Sequence, residues 1–392
     1  MSVWDGLVGQ EHVVGVLQEA ADAARTFVQG EGSSIDRSMT HSWLITGPPG
    51  SGRSVAGLAF AAALQCTGPT PGCGQCSGCR TTMVRSNGDV IVVSTEATQL
   101  RVAEVRDLVG RAQLAPSAGL WRVIVVEDAD RMTEATSNVL LKAIEEPPAR
   151  TVWLLCAPSP EDMIPTIRSR CRHLSLRIPS VEAVADLLVS RDNIDRDIAL
   201  AAARAAQSHI GVARALARDP QMRERRRDII TAPVRVRSVG EAVMAADRLL
   251  QVAKDQTQAQ VEERNANERA ALLRQLGMDA DSAPNKHSRA RLRELEEEQT
   301  RRAKRATHDT LDRALVDLLA IYRDVLMVQL ETGMELVNSD LTDLVHEVAA
   351  ESTPRQTLAR VEAIEVARRR LSANVAPLLA LEAMAVALRP QV

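Results

Sequence analysis

Five short apolar runs, rich in β-branched residues, recur in the first part of the chain. Continuous runs of this length, separated by helical patterns, are typical of strands that are buried on both faces. Strands that alternate with helices predict βαβ units and a mostly parallel sheet. The pattern therefore predicts an α/β domain over residues 1–179, with strands at His41–Thr46, Asp89–Ser94, Trp121–Val126, Thr151–Ala157 and His173–Ile178.

Strand signals stop after Val181, and the remaining pattern is helical. Short amphipathic segments, which we expect to be broken at Gly211 and Pro220, predict a small helical domain over residues 180–232. Leu, Val and Met at three- and four-residue spacing then predict a third, all-helical domain over residues 233–392. Three domains agree with the length of 392 residues, since a domain usually holds roughly 100–200 residues.

A charged stretch, Lys254–Arg305, interrupts the apolar pattern of the third domain. Its few apolar residues cannot form a wide core-facing stripe, which predicts a solvated helical hairpin or a partly disordered insertion. A charge run of this kind is more often a solvated face than a binding surface. The sequence leaves both interpretations open.

Charge and composition exclude several classes of function. The chain carries 48 basic and 51 acidic residues, a formal net charge of −3, so any basic surface must be local. Only 4 Trp, 1 Tyr and 2 Phe occur, which argues against a stacking platform for single-stranded bases. No run reaches the roughly 18 apolar residues of a membrane span and no secretory signal is present, so we expect a cytoplasmic protein.

The stretch "TGPPGSGRSVAG" follows the first predicted strand and precedes a helical pattern. Its glycines and serine have the spacing of a phosphate-binding loop, in which backbone N–H groups and a helix N-terminus face an anion. Arg53 occupies the position of the usual lysine, and a planar guanidinium does not replace a compact ammonium at a tightly shaped site. The alternative is a simple strand-to-helix turn. The candidate loop residues are Gly47, Gly50, Gly52, Arg53 and Ser54.

Two further departures concern the hydrolytic groups of such a site. In "VIVVEDAD", Glu127 and Asp128 stand in the reverse of the usual order, an Asp that serves Mg²⁺ followed by a Glu that orients water. At the end of the next predicted strand, Ala157 and Pro158 replace a polar residue, and neither has a side-chain hydrogen-bond donor. We therefore expect no efficient ATP hydrolysis in this site. Binding of ATP and Mg²⁺ remains open.

Four cysteines with short spacings, Cys66, Cys73, Cys76 and Cys79, lie in a Gly- and Pro-rich loop. Four thiolates suit tetrahedral Zn²⁺ and leave no open ligand position, so the predicted zinc is structural. The alternatives are unrelated thiols or a zinc-dependent nucleic-acid-binding module. We interpret Cys156 and Cys171 as small core residues.

The order of the motifs is specific: "WDGLVGQ" at Trp4–Gln10, the Gly-rich loop, the cysteine cluster, the segment Leu100–Pro148 that ends in "EEPP", and "SRC" at Ser169–Cys171. Over residues 1 to about 220 this order resembles that of bacterial DNA polymerase III clamp-loader subunits of the AAA+ class. The resemblance implies an AAA+ module with a parallel sheet and flanking helices, then a small helical lid domain and an all-helical collar domain.

The resemblance also implies roles for individual residues. "SRC" contains Arg170, which alone would be an ordinary exposed loop arginine, but in this family enters the nucleotide site of a neighbouring subunit. Arg214 in "GVARAL" matches a sensor arginine of the lid. Val8 and Gly9 match the segment beside the adenine, and Arg101 and Arg106 are candidate DNA-phosphate contacts.

Within this family, some subunits hydrolyse ATP and others do not. The departures at Arg53, at Glu127 and Asp128, and at Ala157 and Pro158 favour a non-hydrolysing, stator-like subunit. The alternative is an active ATPase of the gamma/tau type that tolerates arginine in the loop. The implied partners are gamma/tau and delta subunits in a hetero-pentamer, the ring-shaped sliding clamp (beta) and primer–template DNA.

Overall fold

A computed structural model of the chain describes residues 2–30, 36–94, 99–276, 286–373 and 375–389. The chain divides into two compact units, Met1–Ala217 and Arg218–Val392. The first unit contains the predicted sheet and the following helices up to residue 217, and the second contains the later helices. The finer division at residues 179 and 232 stays a prediction. None of the described helices combines the length and apolar character that a membrane crossing requires.

The first unit is built on one five-stranded sheet in which every paired strand is parallel. The strand order is β2-β3-β4-β1-β5, so β1 lies between β4 and β5. All five predicted strands are confirmed, most with ends one or more residues shorter. Their bounds are β1 Ser42–Thr46, β2 Val90–Val93, β3 Arg122–Val126, β4 Thr151–Ala157 and β5 Arg172–Ser175.

Side chains of the central strands alternate between two cores, one on each face of the sheet. In β1, Trp43 and Ile45 join one core and Leu44 joins the other. Both faces are covered, which explains why these strands are continuous apolar runs. The helices of this unit are α1 Glu11–Gln29, α2 Arg53–Leu64, α3 Ser77–Met83, α4 Val102–Ala112, α5 Glu134–Glu145, α6 Pro165–Arg168, α7 Val181–Asp192, α8 Arg196–Ala205 and α9 Ile210–Arg218.

The predicted helix break at Gly211 was wrong, because Gly211 lies in the first turn of α9. The break comes earlier, after α8, where Gln207 and Ser208 have φ values of 50° and 62°. Two successive left-handed residues end a right-handed helix whatever their side chains. The break at Pro220 is confirmed, since Pro220 is the first residue of the next helix.

The second unit is helical throughout its described residues. Its helices are α10 Pro220–Val234, α11 Val239–Gln275, α12 Lys286–Gln329, α13 Thr342–Ala350, α14 Pro354–Ser372 and α15 Pro377–Leu388. One apolar core joins them, and it includes Leu249 of α11 and Leu318 and Ile321 of α12. The expected helical character of the C-terminal part is therefore confirmed.

The charged stretch forms the distal part of α11 and the first part of α12. The buried core of this unit ends at Ala253 on α11 and begins again at Leu311 on α12. Beyond it, ion pairs of 2.8 Å between Arg269 and Glu296 and of 2.9 Å between Arg302 and Glu268 join the two helices. The charged stretch is thus helical where the chain is described, and residues 277–285 lie outside the described part.

Asp89, just before β2, holds the turn that precedes β3. Its carboxylate accepts hydrogen bonds from the N–H groups of Ser117, Ala118 and Gly119 at 2.8, 2.9 and 2.6 Å. It also pairs with the buried guanidinium of Arg122 at 3.1 Å. Burial alone would raise the pKa of Asp89, but the three N–H bonds lower it to about 2.

We predict that Asp89→Asn destabilises the first unit by about 3–5 kcal/mol at pH 7, because it leaves a buried guanidinium unpaired. The folded-state pKa of Asp89 lies below the ordinary aspartate value of 3.8, so the carboxylate stabilises the fold above about pH 4 and loses this effect as pH falls towards 2. The difference between variant and parent should therefore shrink on acidification.

Urea unfolding followed by tryptophan fluorescence measures this difference, since Trp4, Trp43, Trp121 and Trp153 all lie in the first unit. Asp107→Asn on exposed α4 is the matched control, with an expected change within about 0.5 kcal/mol. Equal stability of Asp89→Asn and the parent at pH 7 would contradict the prediction.

Candidate functional site

The Gly-rich loop connects the end of β1 to the start of α2. Thr46 is the last residue of β1, and Arg53 is the first residue of α2. Gly50 and Gly52 have φ values of 86° and 94°, a backbone conformation that side chains with a Cβ rarely adopt. The strand, loop and helix expected for a phosphate loop are therefore present, with Ser54 half-buried in the first turn of α2.

The Arg53 side chain turns back onto its own loop. Its Nη1 donates a hydrogen bond to the Gly47 carbonyl oxygen. Burial lowers the pKa of the guanidinium, and the negative charges of Asp130 and Asp128 oppose this effect. In a working loop the cation reaches the outer phosphates, whereas here it contacts the backbone of the loop.

His209 covers the loop from the turn before α9. A Cβ on Gly50 would lie 2.5 Å from Cγ of the His209 ring, so only glycine fits this close approach. On the other side of the loop, Leu7 Cδ2 lies 3.6 Å from the position of a Cβ on Gly52. The adjacent Val8 is half-buried, and Gly9 approaches Pro179. The N-terminal motif therefore lies beside the loop.

The carboxylates after β3 are engaged by nearby arginines. Glu127 receives two hydrogen bonds from Arg85, at 2.7 and 3.2 Å. Asp128 Oδ1 lies 3.8 Å from Arg131 Nε. Sequence reasoning missed Arg85, which is far along the chain, and Asp130, whose pKa is raised by burial.

The end of β4 contacts the loop through its backbone. Ala157 is fully buried, and the carbonyl oxygen of Pro158 accepts a hydrogen bond from the Gly47 N–H at 3.2 Å. At these two positions, the polar side chain that hydrolases place here is replaced by an apolar contact and a backbone hydrogen bond.

The other arginines selected from the sequence lie in different surroundings. Arg170 is exposed just after α6, and its Nε donates to Glu145. Arg214 on α9 makes two hydrogen bonds to Asp192, at 2.8 and 2.7 Å. Arg101 and Arg106 are both exposed, at the N-cap and within α4. The guanidinium of Arg214 is therefore bound by a carboxylate of the same chain.

The four predicted cysteine ligands come together in space. Their Sγ atoms all lie within 4.8 Å of one another, and the Sγ atoms of Cys66 and Cys76 are 3.8 Å apart. A tetrahedral ion with Zn–S distances of about 2.3 Å requires sulfur atoms roughly 3.8 Å apart. The four residues can therefore hold a metal ion.

Backbone N–H groups around the cluster favour thiolates. Hydrogen bonds from the N–H groups of Cys76 and Gln75 lower the pKa of Cys73. Burial raises the pKa of Cys76, but hydrogen bonds from the N–H groups of Cys79 and Thr67 outweigh it and lower the pKa to about 6. Deprotonated sulfur is the form that binds metal, so these two positions favour it, whereas burial raises the pKa of the Cys79 thiol.

Comparison with known proteins gives matches within the first unit. The family model described as DNA polymerase III, delta subunit, matches residues 28–180. DNA polymerase III subunit gamma/tau of Mycobacterium tuberculosis is 35% identical over 175 residues, which cover 44% of this chain and 28% of that relative.

Two relatives are DNA polymerase III delta' subunits. The one from Pseudomonas aeruginosa is 34% identical over 152 residues, covering 38% of this chain and 46% of the relative. The one from Escherichia coli is 34% identical over 181 residues, covering 45% of this chain and 54% of the relative. The matches thus span about half or less of each relative.

We predict that Cys73→Ser lowers the bound metal well below one equivalent, because a hydroxyl is a poor replacement for a thiolate ligand. If the metal stabilises the fold, the midpoint of thermal unfolding should fall by roughly 5–10 °C. Elemental analysis of the purified chain and thermal melts with and without a chelator measure both effects. Cys171→Ser is the matched control and should keep its metal; full metal content in Cys73→Ser would contradict the site.

Proposed function

We propose that this chain, a bacterial clamp-loader subunit of the AAA+ class, is the non-hydrolysing, delta-prime-type subunit of the clamp loader. In this role it assists the ATP-dependent loading of a sliding clamp onto primed DNA. Its partners are gamma/tau and delta subunits in a hetero-pentamer, the sliding clamp (beta) and primer–template DNA. Arg101, at the N-cap of α4, and Arg106, on the exposed face of α4, are the proposed contacts to DNA phosphates.

The observation that carries the proposal is the hydrogen bond from Arg53 to the Gly47 carbonyl oxygen. The loop cation is engaged by the loop itself, and Glu127 is engaged by Arg85. Phosphoryl transfer depends on a cation at the outer phosphates, on Mg²⁺ and on an oriented water. The loop cation and the carboxylate that would orient water both contact other groups of this chain, which supports a loop without turnover. Binding of ATP and Mg²⁺ is a separate property, open to direct measurement.

Arg170 is the residue that we propose to act on catalysis, in a neighbouring subunit. It is exposed, and it lies on a short turn fixed to the sheet. An arginine supplied to a neighbour's site stabilises the charge that develops on the transferred phosphoryl group, with effects of about 10³–10⁵ on rate. Arg214, which pairs with Asp192, then has a structural role in this chain.

We also propose that the four cysteines hold a structural Zn²⁺. All four ligand positions belong to the protein, so no position remains for substrate or water. Such an ion would fix the 66–79 loop, whose Pro71 carbonyl accepts a hydrogen bond of 3.3 Å from Trp4. The metal thus supports the position of the N-terminal motif beside the Gly-rich loop.

A second candidate is an active ATPase of the gamma/tau type. It is favoured by the 35% identity to a gamma/tau subunit and by the retained glycines and Ser54 of the loop. The two proposals differ in the turnover of the isolated chain, which is the quantity to measure.

We predict that the isolated chain shows negligible steady-state ATP hydrolysis, since its loop cation and its acidic residue are engaged elsewhere. Hydrolysis at the rate of a gamma/tau subunit, abolished by Arg53→Ala, would establish the second candidate instead. Phosphate release measures turnover, and fluorescent-ATP titration reports binding separately.

We predict that Arg170→Ala in the reconstituted complex lowers the hydrolysis that depends on this subunit by a factor of about 10³ or more. Arg168→Ala is the matched control, because Arg168 is exposed on the same turn and lies 4.0 Å from Glu161. Native mass of the complex shows that assembly is intact. Equal rates for Arg170→Ala and Arg168→Ala would exclude the proposed role.

A further inference from the structure

The backbone that carries Arg170 is fixed on both sides. Ile167 is fully buried in the core of the sheet, and Cys171 packs against the same core. The Arg170 N–H donates to the Ile167 carbonyl oxygen at 3.0 Å. The position of the Arg170 Cα is therefore fixed by packing against the sheet, and the side-chain torsion angles alone decide where the guanidinium lies.

The Arg170 side chain is defined by three acceptors. Nε donates to Oε1 of Glu145, and Nη1 donates to the Thr166 carbonyl oxygen at 2.9 Å and to Ser169 Oγ at 3.3 Å. Among the described residues, Nη2 has no acceptor. Two nitrogens of the guanidinium are thus held by this chain, and the third is free for an oxygen from outside.

Stability alone does not explain the contact between Glu145 and Arg170. The two side chains are 43% and 39% exposed, and ion pairs at such positions contribute little to folding. Glu145 is also the last residue of α5, where the helix dipole disfavours negative charge. The main effect of the contact is to restrict the orientation of the guanidinium.

We propose that Glu145 is a positioning residue that holds Arg170 for a phosphate of a neighbouring subunit; this inference rests on the proposed role of Arg170. A donor that is already oriented needs no reorganisation when charge develops in the transition state. An arginine without this restraint loses the freedom of a long side chain each time it meets the phosphate. Glu145 therefore acts on the rate through Arg170, without touching the nucleotide.

The chain offers a matched control beside Glu145. Glu146 is also exposed, and its side chain makes no hydrogen bond within the described ranges. Replacing Glu146 removes the same charge from nearly the same place but leaves the Arg170 contact intact. Glu145→Gln separates hydrogen bonding from charge, since a glutamine oxygen still accepts a hydrogen bond from Nε.

The test measures kcat and KM for ATP in the complex reconstituted with gamma/tau and delta subunits. We expect Glu145→Ala to lower kcat about tenfold with KM unchanged, because the restraint acts on the transition state. Glu145→Gln should recover most of the rate, and Glu146→Ala should match the parent. In an Arg170→Ala background, Glu145→Ala should cause no further loss, since its effect passes through Arg170.

Every other result would overturn either the positioning role of Glu145 or the proposed function. If Arg170→Ala impairs the complex but Glu145→Ala does not, the positioning role fails and the proposed function stands. If Arg170→Ala has no effect, the proposed function itself fails. The positioning role is overturned if Glu146→Ala causes an equal loss, or if the loss persists in the Arg170→Ala background. It is also overturned if Glu145→Gln does not recover activity, or if the complex no longer assembles with Glu145→Ala.

Discussion

The pairing of β1 with β4 is the constraint on which the candidate site depends. Thr46 lies opposite Ala157 at the ends of these parallel strands, and the hydrogen bond from Gly47 to Pro158 continues the pairing into the loop. The loop backbone is thereby attached to the sheet before any ligand is present. Because parallel strands end at one edge, the carboxylates after β3 lie at this same edge.

The arginines of the first unit differ in the groups that bind them. Arg53 is bound by the backbone of its own loop, and Arg85 is bound by the carboxylate of Glu127. Arg214 is held by a carboxylate that is almost fully buried. Nη2 of the exposed Arg170, by contrast, has no acceptor in the part of the chain that the structure describes. The strand, loop and helix of a nucleotide site are thus present, while two of its charged side chains contact groups of this chain.

Much of the fold could be predicted because it depends on local patterns. Strands that are buried on both faces give continuous apolar runs, and the cysteine ligands lie within one short loop. The contacts that define the candidate site join distant parts of the chain: Arg85 and Glu127 are 42 residues apart, and Arg170 and Glu145 are 25 apart. No local signal encodes such pairs. The break before α9 was misplaced for a related reason, since left-handed Gln207 and Ser208 are set by the backbone and not by their residue types.

The two polar helices beyond the core of the second unit have a mechanical consequence. The 254–275 part of α11 extends about 33 Å at 1.5 Å per residue. Between Asn265 and Arg269 this part is joined to α12 by ion pairs and amide hydrogen bonds, such as the bond from Gln299 to the Asn265 carbonyl oxygen at 3.1 Å. The exposed pair of Arg269 with Glu296 is screened as salt approaches physiological concentration, whereas the pair of Arg302 with Glu268 is more buried and is screened less. The stiffness of this pair of helices therefore varies with ionic strength. Salt does not screen the apolar contacts of the core from which the pair extends.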